Sequence, residues 1–172
     1  LGLSIEARDI KDVVNDIKLN INLNQIQFSK NPEILIAGCG TGQHVITTAS
    51  KYKNVRVYAL DLSFNSLSYA KRKAMELGIK NINFIQGDIL NINALNKKFD
   101  LIESVGVLHH MENPLEGWKL LKNYLNDDGL MLIGLYSEKA RANISKIRKK
   151  IKDLKISTKK NNIVNFRNNI FE

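Results

Sequence analysis

Cysteine and long apolar runs are what this chain has least of. Its 172 residues include one cysteine, Cys39, so no internal disulfide can form and a reducing, cytoplasmic location is predicted. No apolar run is long enough to cross a bilayer and the first residues do not resemble a secretory signal, so no membrane span is predicted. The 44% of hydrophobic side chains and the length predict one globular domain with one core.

Charge is plentiful but unevenly distributed. Of the net charge of +9, residues 1–137 contribute little, with 15 Lys and Arg against 14 Asp and Glu, whereas residues 138–160 carry 10 against 2. The basic segment is predicted to be a helix with one apolar stripe, made of Ile144, Ile147, Ile151 and Leu154. Such a helix either packs its stripe on the rest of the fold or binds an anionic partner, a nucleic acid or a membrane surface.

Five short apolar runs alternate with helical patterns. This order predicts an α/β fold with a doubly wound, mostly parallel, Rossmann-like sheet flanked by helices. The predicted strands are residues 34–37, 55–60, 82–86, 99–104 and 130–135. Ser63 and Asn113 are predicted helix N-caps, and Gly78 is predicted to end the helix that Ser63 begins. The helix after Asn113 is expected to present four side chains to the core, Leu115, Trp118, Leu121 and Leu125.

The pattern divides the chain into three predicted segments. Residues 1–30 form an N-terminal helical segment with a helix over 4 to about 19, residues 31–137 form the core, and residues 138–172 form the basic helix and tail. After Thr158 the tail is expected to be loosely ordered, with only a weak apolar run over residues 163–166.

Polar residues stand at the ends of the predicted strands, where parallel α/β sheets bind their ligands. Alternating glycines let the backbone approach a ligand closely, and a carboxylate at the next strand end can accept two hydrogen bonds from ribose hydroxyls. The pattern therefore predicts a nucleoside site. There are alternatives, however: a plain tight turn also favours glycine, and Asp61 and Asp88 are also suited to capping helices. The residues are Gly38, Gly40, Gly42, Asp61, Asp88 and Ser104.

The spacing of the glycines narrows the choice of ligand. A dinucleotide fingerprint would place its third glycine at position 43, where this chain has Gln43. Residues 37–43, 60–63, 86–89 and 99–111 together resemble the class I S-adenosylmethionine-dependent methyltransferases, in particular their small-molecule branch. The similarity covers roughly residues 31–140 and extends to methyltransferase domains attached to tetratricopeptide repeats.

The resemblance implies S-adenosylmethionine as the cofactor and a role for each motif. The methionine part would lie along the loop and near the end of the fourth strand, at Ala37, Gly38, Cys39, Gly40, Gly42 and Ser104. Asp61 would hold the ribose diol, and Leu62 and Ile89 would enclose the adenine with Asp88 at its edge. In one departure, the family usually carries an acid two positions before the first glycine, where this chain has Ile36. The family's two closing strands have no counterpart after Ser137, so a fragment without them is expected.

His109 and His110 are the candidate catalytic residues. Both follow the fourth strand, where an acceptor would lie, and an imidazole can remove a proton near neutral pH. The alternative is that they only pack or bind the backbone. His44 is interpreted as structural, and no metal site is predicted.

The predicted function is transfer of a methyl group to a small-molecule acceptor. Two alternatives stay open: an NAD-dependent oxidoreductase, and a non-catalytic module that binds anionic partners through the basic helix. Nucleic acid is a candidate partner only through that helix, and the oligomeric state is not predicted.

Overall fold

The computed structural model describes residues 6–17, 22, 26–137 and 139–171. Five strands alternate with helices in these residues. The strands are β1 (Glu33–Ala37), β2 (Arg56–Asp61), β3 (Ile82–Gln86), β4 (Phe99–Val105) and β5 (Leu125–Gly134). The helices are α1 (Ile10–Asp16), α2 (Gln43–Lys51), α3 (Phe64–Glu76), α4 (Pro114–Asn123), α5 (Ala142–Asp153) and α6 (Lys160–Phe171). Short 3-10 helices, Ile89–Leu95 and Leu108–His110, flank β4.

The sheet is parallel throughout, with the strand order β3-β2-β1-β4-β5. Strands β2 and β3 are added in turn on one side of β1, and β4 and β5 are added on its other side. The direction of the strand order therefore reverses between β1 and β4. In such sheets the ligand crevice opens at the carboxyl ends of those two strands. The doubly wound α/β fold predicted from the sequence is confirmed. The family's two closing strands are not among the described residues.

Both faces of the sheet are covered, which explains why the strands do not alternate between polar and apolar residues. In β1, Ile34 and Ile36 pack in the same layer as Val45 of α2, whereas Leu35 packs in the opposite layer with Leu121 of α4. All five side chains are 1% exposed or less. The core therefore lies on both sides of β1, and the loop that follows this strand starts from its most rigid part.

Local signals mark the helix ends as predicted. The Ser63 hydroxyl accepts a hydrogen bond of 3.2 Å from the Ser66 N–H, and Asn113 Oδ1 accepts one of 3.4 Å from the Glu116 N–H. Gly78 follows α3 with a φ of +71°, the left-handed conformation that glycine adopts without strain. These contacts satisfy backbone groups that a helix end leaves without partners.

Two of the four side chains predicted to face the core from α4 do not do so. Leu121 is buried, but Leu115 and Trp118 are 59% and 38% exposed. Leu125 packs against the core as predicted, but it does so from β5, where it pairs with Phe99 of β4. This strand begins at Leu125, whereas its predicted start was residue 130. The buried side of α4 contains Gly117 and Leu121.

The N-terminal helix is shorter than predicted within the described residues. It spans Ile10–Asp16, whereas the prediction was 4 to about 19, and residues 4, 5, 18 and 19 lie outside the described residues. Ile10, Val13 and Val14 of α1 are buried in the core.

Residues 1–135 and 136–172 form two compact units. In the second unit, α5 contains five of the ten Lys and Arg residues of the basic segment 138–160, and none of its side chains is buried. The segment after Thr158 was expected to be loosely ordered, which is wrong, since α6 occupies residues 160–171. Across the described ranges, no helix combines the length and the apolarity that a membrane span needs.

Candidate active site

The loop after β1 holds three glycines, Gly38, Gly40 and Gly42, with φ angles of +85°, +53° and +94°. Two of them are required by packing. A Cβ on Gly38 would lie 2.5 Å from both methyl groups of Val107, and a Cβ on Gly42 would lie 2.5 Å from the Cβ of Ala70. These distances are far below van der Waals contact, so a plain structural role explains these two positions.

Gly40 is different because packing does not require it. No atom lies within 4 Å of the place where its Cβ would stand, and the residue lines an open cleft. A glycine whose free side faces a cleft permits close approach of a ligand to the backbone. The φ of +53° alone already favours glycine at this position, and the open space beside it leaves room for a bound molecule next to the loop.

Asp61 ends β2 and holds the glycine loop in place. Its Oδ2 accepts a hydrogen bond of 2.7 Å from the Gly40 N–H, and its Oδ1 accepts one of 2.9 Å from the Ser63 N–H. Each carboxylate oxygen can accept a second hydrogen bond, so Asp61 keeps acceptor capacity for a ligand while it fixes the loop. It also lines the cleft.

Asp88, after β3, caps the 3-10 helix that follows by accepting a hydrogen bond of 2.9 Å from the Leu90 N–H. The capping alternative considered from the sequence is therefore observed, yet Asp88 also lines the cleft. Leu62 and Ile89 line it too; Leu62 is 67% exposed, whereas Ile89 is buried. Both side chains offer apolar contact to a ligand in the cleft.

The cleft measures about 990 Å³ and lies at the carboxyl ends of the strands. This volume is at the upper end of the usual range for small-molecule sites. It brings together most of the residues predicted from the sequence, namely Gly38, Cys39, Gly40, Gly42, Asp61, Leu62, Asp88, Ile89 and His110.

Three predicted site residues are not part of the cleft lining. Ala37 and Ser104 are fully buried, and the Ser104 hydroxyl donates a hydrogen bond of 3.0 Å to the carbonyl oxygen of Ala37. They join β4 to β1 beneath the cleft and support its floor. His109 is the third, and it contacts the lining residue His110 with their Nε2 atoms 3.1 Å apart.

Sequence reasoning assigned no site role to several polar residues of the cleft lining, among them Glu112, Glu116 and His44. His44, interpreted as structural, lines the cleft, and its Nε2 lies 2.9 Å from Oε2 of Glu103. Glu103 is only 3% exposed and also accepts a hydrogen bond of 2.7 Å from the Thr48 hydroxyl. The polar contact with Glu103 raises the pKa of His44 and outweighs the opposite effect of burial. The available signal was a carboxylate inside an otherwise apolar strand.

The charge of the cleft is one-sided. Its lining includes four carboxylates, and no Lys or Arg is found in that lining among the residues that the structure describes. A negative surface of this kind suits a ligand that carries positive charge. The acids are Asp61, Asp88, Glu112 and Glu116.

The thiol of Cys39 is not suited to act as a nucleophile. Burial, together with the charge of Asp61, raises its pKa to about 12, so it stays protonated near neutral pH. The thiolate is the reactive form of cysteine, which agrees with the sequence interpretation of this position.

Comparison with known proteins decides the family. A family model described as a methyltransferase domain matches residues 28–168. The chain belongs to this family. The resemblance to class I S-adenosylmethionine-dependent methyltransferases is thereby confirmed.

Relatives of this methyltransferase domain include plant and bacterial proteins. The probable (S)-tetrahydroprotoberberine N-methyltransferase 2 of Papaver bracteatum is 29% identical over 122 residues, which cover 71% of this chain and 34% of the relative. An S-adenosylmethionine-dependent methyltransferase from Clostridium acetobutylicum has a TM-score of 0.62 at 25% identity, covering 78% of this chain and 51% of that one.

A third similarity concerns the fold alone. Coclaurine N-methyltransferase, solved with N-methylheliamine and SAH, has a TM-score of 0.56 at 23% identity, covering 72% of this chain and 35% of that one. The chain spans about a third of the length of three curated relatives that it matches.

Proposed function

We propose that this methyltransferase domain binds S-adenosylmethionine and transfers its methyl group to a small-molecule acceptor. The observation that carries the proposal is a cleft whose lining combines Gly40, which has open space where a side chain would stand, with two strand-end acids, Asp61 and Asp88. Family membership and the one-sided negative charge of the cleft support it, because the cofactor carries a positive sulfonium.

The residues of the cleft fit this cofactor. Asp61 has free acceptor capacity for the two ribose hydroxyls, although its oxygens already hold the Gly40 and Ser63 N–H groups. Leu62 and Ile89 offer apolar surface for the adenine, and Asp88 lies close by as an acceptor for its amino group. The cofactor supplies an activated methyl group, so the protein has to provide binding and alignment more than chemical activation.

His110 is the proposed proton acceptor when the methyl acceptor is a hydroxyl or an amine. It lines the cleft, and the contact of its Nε2 with His109 links the two rings. A hydrogen bond between the two facing Nε2 atoms needs one proton between them, so His109 would influence which nitrogen of His110 carries its proton.

The small-molecule acceptor and the cytoplasmic location belong to the same proposal. The acceptor class is supported by two plant relatives that are named as (S)-tetrahydroprotoberberine N-methyltransferases. The location is supported by the single cysteine, as expected of a protein from a reducing compartment.

Calorimetric titration with S-adenosylmethionine and, separately, with NAD tests the proposal. The variant Asp61→Asn keeps the size of the side chain but loses its charge, and Asp127→Asn makes the same change on an exposed residue outside the cleft. We expect micromolar binding of S-adenosylmethionine, a loss of roughly tenfold or more in Asp61→Asn and none in Asp127→Asn.

Other results would contradict the proposal in distinguishable ways. Binding of NAD without S-adenosylmethionine would favour the oxidoreductase alternative. A folded protein, verified by circular dichroism, that binds neither compound would favour the non-catalytic module.

A further inference from the structure

A buried carboxylate lies next to the position where the family usually has an acid. Ile36 of β1 pairs in register with Glu103 of β4, and both side chains are buried. Ile36 packs in the layer that contains Val45 of α2, and Glu103 accepts its hydrogen bond from Thr48 of the same helix. The two side chains thus lie on the same face of the sheet, one strand apart. The charge absent at position 36 is present on the neighbouring strand.

Glu103 does not line the cleft, but it contacts a residue that does. His44 stands in the first turn of α2 with its side chain 40% exposed, and its Nε2 lies 2.9 Å from Oε2 of Glu103. A protonated imidazole donates from both ring nitrogens. A cationic His44 can therefore hold Glu103 through Nε2 while Nδ1 remains to donate to a ligand. The N-terminal end of a helix also favours negative charge, so the first turn of α2 suits an anionic group of a ligand.

The strand order puts His44 at the amino-acid end of the cofactor. In the proposed function the ribose lies at Asp61 after β2 and the adenine near Asp88 after β3. Since the order is β3-β2-β1-β4, the methionine part must run toward β1 and β4. His44 reaches that side, because its ring contacts Glu103 of β4.

An α-carboxylate at that end would meet a strongly acidic lining. The cleft has four carboxylates, and the cations that its described lining can provide are imidazoles, those of His44 and His110. His110 already faces His109, whereas His44 is held by a carboxylate that favours its charged form. His44 is the better counterion on both grounds.

We propose that His44 binds the α-carboxylate of the cofactor's amino-acid part, and that Glu103 is the positioning residue that holds His44 there. The inference rests on the proposed function. It assigns to this chain a binding residue in α2 whose acid partner comes from β4.

The charges around His44 predict a pH dependence. Its pKa is raised by the polar contact with Glu103, while burial and the charge of Lys51 act in the opposite direction. Tyr52 is a further titratable group near Glu103, and burial, with the charge of Glu103, raises its pKa to about 12, so it stays neutral. His44 is charged below its raised pKa. Binding of a carboxylate should therefore weaken as the pH rises through that value.

The test compares two ligands that differ only in the carboxylate. S-adenosylhomocysteine and its decarboxylated analogue S-adenosyl-3-thiopropylamine are titrated calorimetrically between about pH 6 and pH 9, where imidazoles change charge. At the lower pH we expect the wild type to prefer S-adenosylhomocysteine roughly tenfold, and to lose this preference at the upper pH. In His44→Gln the preference should be absent throughout.

Two further variants separate this role from a structural one. Glu103→Gln should shift the loss of preference to lower pH, because it removes the charge that favours the imidazolium. His110→Gln changes the other cleft histidine and should leave the preference intact. If Glu103→Gln does not fold, His44→Gln still decides, since its side chain is substantially exposed.

The outcomes distinguish this inference from the proposed function. Equal weakening of both ligands in His44→Gln, an unchanged preference in that variant, or loss of the preference in His110→Gln would overturn the role of His44. A wild type that binds neither ligand would overturn the proposed function and this inference with it.

Discussion

Replacing Gly38 should unfold the domain far more readily than replacing Gly40, although the two lie in one loop. Both have positive φ, so alanine at either position carries backbone strain of about 1–2 kcal/mol. At Gly38 the new Cβ would also lie 2.5 Å from both methyl groups of Val107. At Gly40 it would meet no atom within 4 Å.

The magnitudes follow from this difference. Forcing an extra methyl group into a packed site costs about 1–3 kcal/mol. Gly38→Ala should therefore lower the free energy of unfolding by about 2–5 kcal/mol, a large part of the roughly 5–15 kcal/mol typical of a domain. Gly40→Ala should lower it by the strain alone, about 1–2 kcal/mol, while its methyl group enters the cleft and weakens cofactor binding.

Urea unfolding of four proteins measures the clash directly. The wild type, Gly38→Ala, Val107→Ala and the double variant form a cycle in which Val107→Ala removes the two clashing methyl groups. We expect a favourable coupling of at least about 1 kcal/mol in the double variant. The reasoning fails if the coupling stays below about 0.5 kcal/mol, or if Gly38→Ala and Gly40→Ala destabilise equally.

Three more predictions concern buried or charged groups. Asp100 accepts four hydrogen bonds, from Ser29, Glu33 and Asn126, so Asp100→Ala should lower the free energy of unfolding by about 2 kcal/mol or more in urea titrations; a change under about 0.5 kcal/mol would contradict this. The raised pKa of His44 adds stability to the folded protein; this stability is complete below the ordinary pKa of 6.5 and is lost as the pH rises through the pKa of the folded state. His44→Gln should therefore flatten that part of the curve of unfolding free energy against pH. An unchanged slope would contradict the prediction. Cys39, with a pKa of about 12, should react with iodoacetamide at pH 8 only after unfolding; rapid labelling of the native protein would refute its protection.

Most of the features that were predicted correctly depend on local sequence patterns. The limits of β3, residues 82–86, were predicted as observed, and Ser63 and Gly78 mark both ends of α3. Each of these features depends on a few neighbouring residues. The doubly wound fold then follows from the alternation of strands and helices, because few chain paths satisfy it.

Contacts between distant residues account for the failures. Helical spacing alone assigned Leu115 and Trp118 to the core, but the helix turns Gly117 and Leu121 inward instead, with Gly117 against Met111. The His44–Glu103 contact joins residues 59 positions apart through the parallel pairing of β1 and β4, and neither side chain predicts the other. Strand register decides which buried side chains lie next to the cleft residues, and a single sequence encodes this register only indirectly.

The attachment of the glycine loop to Asp61 has a thermodynamic consequence. Because one carboxylate already fixes the N–H groups of Gly40 and Ser63, the loop holds its shape before any ligand arrives. A preorganised loop loses little conformational entropy on association, so more of the contact energy appears as affinity. Substituting Asp61 would thus remove a ligand contact and also loosen the loop, and the second effect should appear as a less favourable entropy of binding.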